Sequence, residues 1–346
     1  MAIALPGVSY VMPVLNEAAY IESAILTVLA QDYAGEKELI VALGPSTDGT
    51  NEIVARMVEA DPRITTVQNP AVDIPIGLNR AIKIALHPII VRVDAHSELE
   101  PGYTARAVAT LERSGAANVG GIMRAKGKSA YQKAAARGYN SRFGLGGGRY
   151  HSGGTEGAAE SAYLGVFRRE VLAEVGYFDE SLRRGEDWEL NLRIRSAGHT
   201  VWFDPALEVT YWPRENWRKL VKQFTATGIW RGELVRRYGG RNPWRFFVPP
   251  ILVLSIVASA IVLALQLAGV LSPIASVVAS LVYLGPVAYV ALVLVLALVV
   301  DRGATWRDSW FFVAVLPTMH VSWGCGFIVG LVRGARDTLD TSRTAV

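Results

Sequence analysis

From Phe246 to Val300 the chain carries no Asp, Glu, Lys or Arg in 55 consecutive residues. A helix needs roughly 20 apolar residues to cross the hydrocarbon of a bilayer, so this stretch is long enough for two spans. The breaker chemistry of Gly269-Val270-Leu271-Ser272-Pro273 places the expected turn between them, in a run otherwise rich in Leu, Val and Ala. After the charged loop Asp301 to Asp308, the uncharged stretch Ser309 to Val332 is again long enough. Pro317, His320 and Gly324-Cys325-Gly326 make it less hydrophobic, which leaves two readings: a third span, or a re-entrant or interface-lying helix. Gly326 and Gly330 form a GxxxG pair suited to close helix packing, and with it an oligomer contact through the last helix.

Most of the charge lies before Arg245, which reads as a water-soluble block. The single cysteine, Cys325, excludes an intrachain disulfide framework and a cysteine-rich zinc site. The first dozen residues have neither a basic n-region nor a long apolar h-region, so no signal peptide is expected there. The expected division is 1–213 for the soluble domain, 214–245 for basic interface helices, 246–332 for two or three membrane helices and 333–346 for a tail.

Strand and helix patterns alternate in the N-terminal half. Val8 to Val14, Glu38 to Leu43 and Ile89 to Val93 read as strands; Glu17 to Gln31, Thr50 to Glu59 and Ile76 to Leu86 read as helices, with Thr47 or Asp48 as the N-cap of the second. Repeated β-α-β units predict an α/β fold with a mostly parallel sheet, whose ligands bind beyond the carboxyl ends of the strands.

Three segments sit at such ends. Met12-Pro13-Val14-Leu15-Asn16-Glu17 either presents backbone groups and a carboxylate to a ligand or is an ordinary strand-to-helix turn capped by Asn16. In Arg92-Val93-Asp94-Ala95-His96, alternation along an extended chain puts Asp94 and His96 on one side, a pair suited to a cation that takes its other ligands from diphosphate and water. The other reading is a turn in which Asp94 caps the next segment. Arg184-Gly185-Glu186-Asp187-Trp188 opens a helix running to Ser196, its acids serving either the helix dipole or chemistry.

Pro13-Val14-Leu15-Asn16-Glu17, Ser46-Thr47-Asp48-Gly49-Thr50, Asp94-Ala95-His96, Gly176-Tyr177-Phe178-Asp179-Glu180 and Glu186-Asp187 occur in the order and approximate spacing of family 2 glycosyltransferases. The resemblance covers roughly residues 8–205 and, within the family, is closest to membrane-attached bacterial enzymes of the succinoglycan glucosyltransferase type. It implies a GT-A fold, in which a mixed sheet is flanked by helices and here followed by C-terminal transmembrane helices, together with a nucleotide-sugar donor, Mg²⁺ or Mn²⁺, and inversion at the anomeric carbon. Carried over residue by residue, Pro13, Glu17, Asn79 and Asp94 would bind the donor, and Asp94 with His96 would hold the metal. Asp187 would be the catalytic base, with Glu186 the second catalytic residue, while Trp188, Gln223, Trp230 and Arg231 would face the acceptor or the membrane interface.

Two departures stand out. The acidic residue that usually contacts the nucleotide base is replaced by Leu43 and Gly44, which leaves the nucleotide unassigned. Of the Gln-x-x-Arg-Trp signature of processive synthases only Gln223 is present, with Ala226 and Thr227 at the Arg-Trp positions and Trp230-Arg231 displaced, which argues against a polymer-exporting synthase.

Arg214 to Arg245 holds nine Lys or Arg against two Glu, interleaved with Trp217, Phe224, Trp230 and Trp244. Next to the spans, this belt suits the headgroup region of a lipid bilayer; the plainer reading is a solvated helix. No nucleic-acid reader motif accompanies the charge. The belt predicts a multi-pass protein of the bacterial plasma membrane with its catalytic domain cytoplasmic, acting on a polyprenyl-linked saccharide. A third span would put Arg333, Arg336 and Arg343 outside, against the charge bias. The glycine-rich stretch Gly144 to Gly157, with Arg149 and His151, is either a lid over a diphosphate or a surface loop. Two rivals are a polyprenyl-phosphate glycosyltransferase and a catalytically idle membrane scaffold.

Overall fold

The computed structural model describes residues 5–145, 148–299, 306–335 and 338. They form two compact units, the first of residues 5–126 and 148–212, the second of 127–145, 213–299 and 306–335. In chain order the elements begin β1 (Val8–Val14), α1 (Ile21–Leu29), β2 (Lys37–Leu43), α2 (Thr50–Ala60), β3 (Ile64–Gln68), α3 (Ile74–Ile84), β4 (Ile89–Arg92) and β5 (Ser97–Leu99). There follow α4 (Tyr103–Ser114), β6 (Asn118–Ala125), α5 (Ala130–Tyr139), α6 (Arg149–Ser152), β7 (Gly157–Ala158), β8 (Tyr163–Arg168), α7 (Arg169–Glu174), α8 (Glu186–Ser196) and β9 (Val201–Tyr211). The chain continues through α9 (Trp217–Tyr238), α10 (Val248–Leu267), α11 (Pro273–Ala279), α12 (Leu284–Val299) and α13 (Trp306–Arg333).

Among the described residues, the first unit's sheet has nine strands in the order β3-β2-β1-β4-β8-β6-β9-β5, with β7 beside β9. β1 to β4 are mutually parallel where they pair, whereas β8 runs antiparallel to β4 and β6. The expected parallel sheet is thus half of a mixed one. Period-two alternation in β1 sends Val8, Tyr10, Met12 and Val14 into one apolar layer with Ile25 and Val28 of α1 and Leu111 of α4. Val11 faces the opposite layer with Leu78 and Ile82 of α3 and Leu190 and Ile194 of α8. Each such aliphatic side chain is worth about 1.5–3 kcal/mol when taken fully out of water, and the sheet is sandwiched accordingly.

The chain leaves β1 outward to β2 and β3, then returns to place β4 on the other side of β1. This reversal opens a crevice at the carboxyl ends of β1 and β4. α1 begins at Ile21 rather than Glu17, because Asn16 adopts a left-handed φ of 53° and the N–H groups of Tyr20 and Ile21 both bond the Glu17 carbonyl. The intervening turn keeps Glu17 at the crevice. α3 starts two residues earlier than the periodicity suggests, with Pro75 in its first turn, where a missing N–H costs nothing.

α3 also fastens the approach to α8. The Asn79 amide donates to the Phe178 carbonyl (2.9 Å) and to Glu180 Oε1 (3.0 Å), and its Oδ1 accepts from the Phe178 N–H (3.0 Å). These bonds hold a turn in which Tyr177 has φ 62°, a conformation a bulky residue adopts only when its surroundings enforce it. Arg183 Nε lies 2.9 Å from Asp73 Oδ1, a second tie just before α8.

The second unit is helical. α10, the α11–α12 segment and α13 supply three helices long and apolar enough to cross a membrane, at Trp244–Leu267, Pro273–Leu298 and Ser309–Arg333. The turn at Gly269 lies where the sequence places it. α13 is unbroken across Pro317, so the chain reversal required by a re-entrant segment is absent from its described residues. α5 belongs to this unit, not to a continuous block 1–213; Gly138 lets Met319 of α13 approach closely, which a larger side chain would prevent.

Gly326 and Gly330 meet α9 of the same chain. A Cβ on Gly330 would run into the Ile229 carbonyl, and one on Gly326 into that of Thr225; Gly228 and Gly232 answer from α9 against Trp323 and Phe327. The GxxxG surface is therefore used within the chain, which corrects the oligomer contact expected of it. Trp230 and Phe224 of α9 are likewise buried, leaving Trp217 and Trp244 as the exposed indoles of the basic segment. The loop from Asp301 and the tail bearing Arg336 and Arg343 lie largely outside the described residues.

Gly330→Leu should cost about 1–3 kcal/mol by forcing α9 and α13 apart, read as a lowered unfolding midpoint of the full chain in detergent, with mass by light scattering unchanged. A changed mass at an unchanged midpoint would contradict the intramolecular packing. Asn79→Asp sets a carboxylate against Glu180 and a carbonyl, and should cost about 1–3 kcal/mol in the same measurement; no shift would mean that the clamp carries no load.

Candidate active site

At the crevice, two of the sequence motifs become one structure. Asn16 Oδ1 accepts from the Thr47 N–H (2.8 Å), Ser46 Oγ from the Asn16 N–H (3.0 Å), Thr50 Oγ1 from the Glu17 N–H (2.9 Å) and Asp48 Oδ2 from the Ala18 N–H (3.1 Å). Gly49, at φ 90°, takes the N-cap position of α2, while Asp48 Oδ1 accepts from the Thr50 N–H. Burial opposes it, but the bonds from Thr50 and Ala18 hold the Asp48 carboxyl below its ordinary range. Pro13 lies inside β1 opposite Ala42, and Leu43 is part of the apolar core.

Asp94 and His96 do come together, though not along a strand. β4 ends at Arg92, and the Ser97 N–H bonds the Asp94 carbonyl, closing a turn over Asp94–Ser97. The turn leaves Asp94 Oδ2 4.0 Å from His96 Nε2, while His96 Nδ1 is 3.2 Å from Oε1 of the buried Glu17. The two ring nitrogens thus face different carboxylates, Nδ1 towards Glu17 and Nε2 towards Asp94. No group of three or more His, Cys, Asp or Glu able to hold a metal occurs among the described residues. The Asp94–His96 pair, one hard oxygen and one imidazole nitrogen, fits a cation whose remaining ligands come from diphosphate and water.

Across the crevice stands the start of α8. Gly185 precedes it at φ 78°, a left-handed conformation that glycine accepts without a Cβ penalty, and Glu186 and Asp187 occupy the first turn. What joins the two sides is Arg92, which sequence reasoning left unassigned. It is 4% exposed; its Nη2 lies 3.2 Å from Asp94 Oδ1 and 3.1 Å from Glu186 Oε1, and its Nη1 bonds Asp187 Oδ1. Asp94 and Asp187 thus sit on edges of one guanidinium. Burial pushes the Asp187 carboxyl up against the pull of Arg92, and the charges of Glu186 and Asp94 add to the rise. The signal for Arg92 was present in Ile89-Ile90-Val91-Arg92-Val93: a charge in a strand buried on both faces must find partners.

Other expected residues are placed differently. Asn79 spends its amide on the Phe178 turn and so positions α8 rather than a donor. Trp188 is buried, its indole N–H donating to Glu160 Oε1 (3.1 Å), and is no open acceptor platform. In the second unit Gln223 accepts from the Tyr139 hydroxyl (3.0 Å), Trp230 is buried, and the Arg231 guanidinium lies 4.0 Å from the Phe246 ring centroid. Arg149 donates to the Ala158 carbonyl and His151 is buried, within a stretch that includes α6 and β7; Gly146 and Gly147 lie outside the described residues.

The family model for glycosyl transferase family 2 matches residues 9–176. The chain is 33% identical over 225 residues to the succinoglycan biosynthesis protein ExoA of Rhizobium meliloti (strain 1021), covering 64% of this chain and 68% of that one. It is 24% identical over 275 residues, covering 76% and 85%, to the dolichyl N-acetyl-alpha-D-glucosaminyl phosphate 3-beta-D-2,3-diacetamido-2,3-dideoxy-beta-D-glucuronosyltransferase of Methanococcus voltae. In fold it is similar to the mannosyltransferase PcManGT from Pyrobaculum calidifontis, solved in complex with GDP-Man and Mn²⁺, with a TM-score of 0.63 at 20% identity over 95% of this chain and 88% of that one. By sequence kinship and by the strand order that carries its acidic crevice, this chain belongs to glycosyl transferase family 2 and has the GT-A fold.

Proposed function

We infer that the protein is a membrane-attached inverting glycosyltransferase that moves a sugar from a nucleotide-sugar donor to a hydroxyl of a lipid-linked, polyprenyl-type saccharide, in cell-envelope or exopolysaccharide synthesis. The observation that carries this reading is the shared guanidinium: Asp94 and Asp187 flank one crevice at the spacing of a single Arg92 side chain. The names of the Rhizobium and Methanococcus relatives, one in succinoglycan biosynthesis and one a dolichyl-linked saccharide transferase, support the acceptor class. The Pyrobaculum structure with GDP-Man and Mn²⁺ supports the donor class and the metal.

In this mechanism Asp187 accepts the proton of the acceptor hydroxyl as that oxygen forms its bond to C1 and the bond from C1 to the diphosphate oxygen breaks. A carboxylate is a weak base, and its usefulness comes from being held within hydrogen-bond reach of the hydroxyl. Asp94 and His96 would hold a divalent cation, which supplies neutralisation of the charge growing on the leaving diphosphate. Glu17, beside His96 Nδ1, orients the imidazole. Pro13 and the Asn16–Thr50 hydrogen bonds shape the nucleotide end of the crevice.

The membrane reading rests on the three long apolar helices and on the exposed Trp217, Arg218, Lys222, Arg236, Arg241 and Trp244 preceding or flanking the first. Such a basic, indole-bearing belt supports a reading in which the catalytic unit lies on the cytoplasmic side of a bacterial plasma membrane, where nucleotide sugars are found.

A panel of nucleotide sugars with Mn²⁺ or Mg²⁺, offered to the full chain in detergent, identifies the donor. With it, Asp187→Asn should lower transfer about 10²–10⁴-fold while donor affinity stays within about threefold. Retained transfer would favour a polyprenyl-phosphate acceptor, whose phosphate needs no deprotonation. Asp94→Ala should abolish metal-dependent nucleotide binding; absence of any nucleotide binding by the parent would favour an idle scaffold. Because the Asp187 carboxyl is raised, protonation disables it already at pH values above the ordinary carboxylate range near ~4, so transfer should rise with pH through a midpoint higher than that. A pH–rate profile flat from pH 5 to 8 would count against Asp187 as the base.

A further inference from the structure

Three carboxylates gather on one buried guanidinium, yet Arg92 itself makes no bond that the transfer reaction breaks. Its Nε and Nη2 meet Asp94 Oδ1 at 3.3 and 3.2 Å, Nη2 meets Glu186 Oε1 at 3.1 Å, and Nη1 bonds Asp187 Oδ1. Its Cζ lies 5.8 Å from the centroid of the Phe178 ring, whose backbone Asn79 clamps on both sides. The guanidinium is therefore confined by its own strand, by a fixed aromatic ring and by the first turn of α8. A guanidinium offers five donors in a rigid plane, so its edges can hold different acceptors at a set separation; an ammonium is a point charge that cannot.

We propose that Arg92 is a positioning residue with two effects: its fork sets Asp187 against Asp94 for transfer, and its fixed positive charge restrains the affinity of the same cluster for divalent cations. This rests on reading Asp94 as a cation ligand and Asp187 as the base. The second effect has a sign that a merely space-filling role would not produce. Formally, three carboxylates and one guanidinium leave the cluster net negative. A neutral side chain in place of Arg92 leaves Asp94 without the positive charge 3.2 Å away, so a dication is attracted more strongly although the site no longer works. Loss of packing alone would loosen the turn over Asp94–Ser97 and weaken binding. Glycosyl transfer then trades cation affinity against geometry, and Arg92 is where the trade is set.

The test uses the full chain in detergent, with Arg92→Gln and Arg92→Lys beside the parent, Mn²⁺ alone titrated by electron paramagnetic resonance, and thermal unfolding to establish that each is folded. Arg92→Gln should bind Mn²⁺ at least about fivefold more tightly than the parent, and Arg92→Lys within about twofold. With the donor found by the nucleotide-sugar panel, both should lose about thirtyfold or more in kcat per Mn²⁺-binding chain, at a donor KM within about threefold. The proposal is overturned if folded Arg92→Gln binds Mn²⁺ no more tightly than the parent, or if Arg92→Lys keeps its kcat. Should the glutamine variant not fold, the lysine variant decides. Full activity in Asp187→Asn would instead sink the base assignment, and the Mn²⁺ comparison, which needs no donor, still judges Arg92.

Discussion

A charged side chain buried at the end of β4 organises this protein's chemistry. Arg92 is nearly excluded from solvent, and an uncompensated guanidinium in that place would cost several kcal/mol. Its compensation comes from Asp94 two residues on and from Glu186 and Asp187 more than ninety residues later. Each acid alone would also resist burial, and together they would repel. The cluster is stable only as a unit, so the fold that satisfies Arg92 also brings together Asp94 and Asp187, the carboxylates proposed for the cation and for the base. On the proposed roles, structural satisfaction and catalytic geometry are the same set of bonds.

Two features of the scaffold make that possible. Reversal of strand order, outward to β3 and back to the other side of β1, opens the crevice where the loops after β1 and β4 meet, and the bonds joining Asn16 to Thr47 and Glu17 to Thr50 stiffen its floor. On the opposite side, α8 would be free to drift on the long connection from α7 were it not tied twice to α3 and its preceding loop, through Asn79 and through Asp73. Asn79 matters to the site without facing it. Its three hydrogen bonds convert the otherwise unfavourable conformation at Tyr177 into a defined approach, and the Phe178 ring so placed confines Arg92.

The second unit obeys a different rule. Its α9–α13 contact is built on close backbone approach, the packing that serves helices when hydrophobic gain is small. Glycines from α9 and α13 provide it, with Trp323 and Phe327 of α13 against Gly228 and Gly232 of α9. Within the basic segment the exposed tryptophans, Trp217 and Trp244, are at its two ends, as would suit a helix lying where headgroups meet water.

Much of this was legible in order along the chain. Uncharged length determined the apolar helices and the turn near Gly269; the strand patterns at Val8–Val14, Glu38–Leu43 and Ile89–Val93 marked three strands of the parallel part of the sheet, though not β3; and five short motifs determined the family. Those signals are local, one residue's neighbours being a few positions away. The antiparallel half, the assignment of α5 to the helical unit, the internal use of Gly326 and Gly330, and the exchange of Asn79 from ligand to clamp were decided only by tertiary structure, because each depends on which distant surface arrives opposite. Arg92 lies between the two cases: its sequence announced a buried charge in need of partners, and the folded chain alone could say that those partners are Asp94, Glu186 and Asp187, the acids proposed for the chemistry.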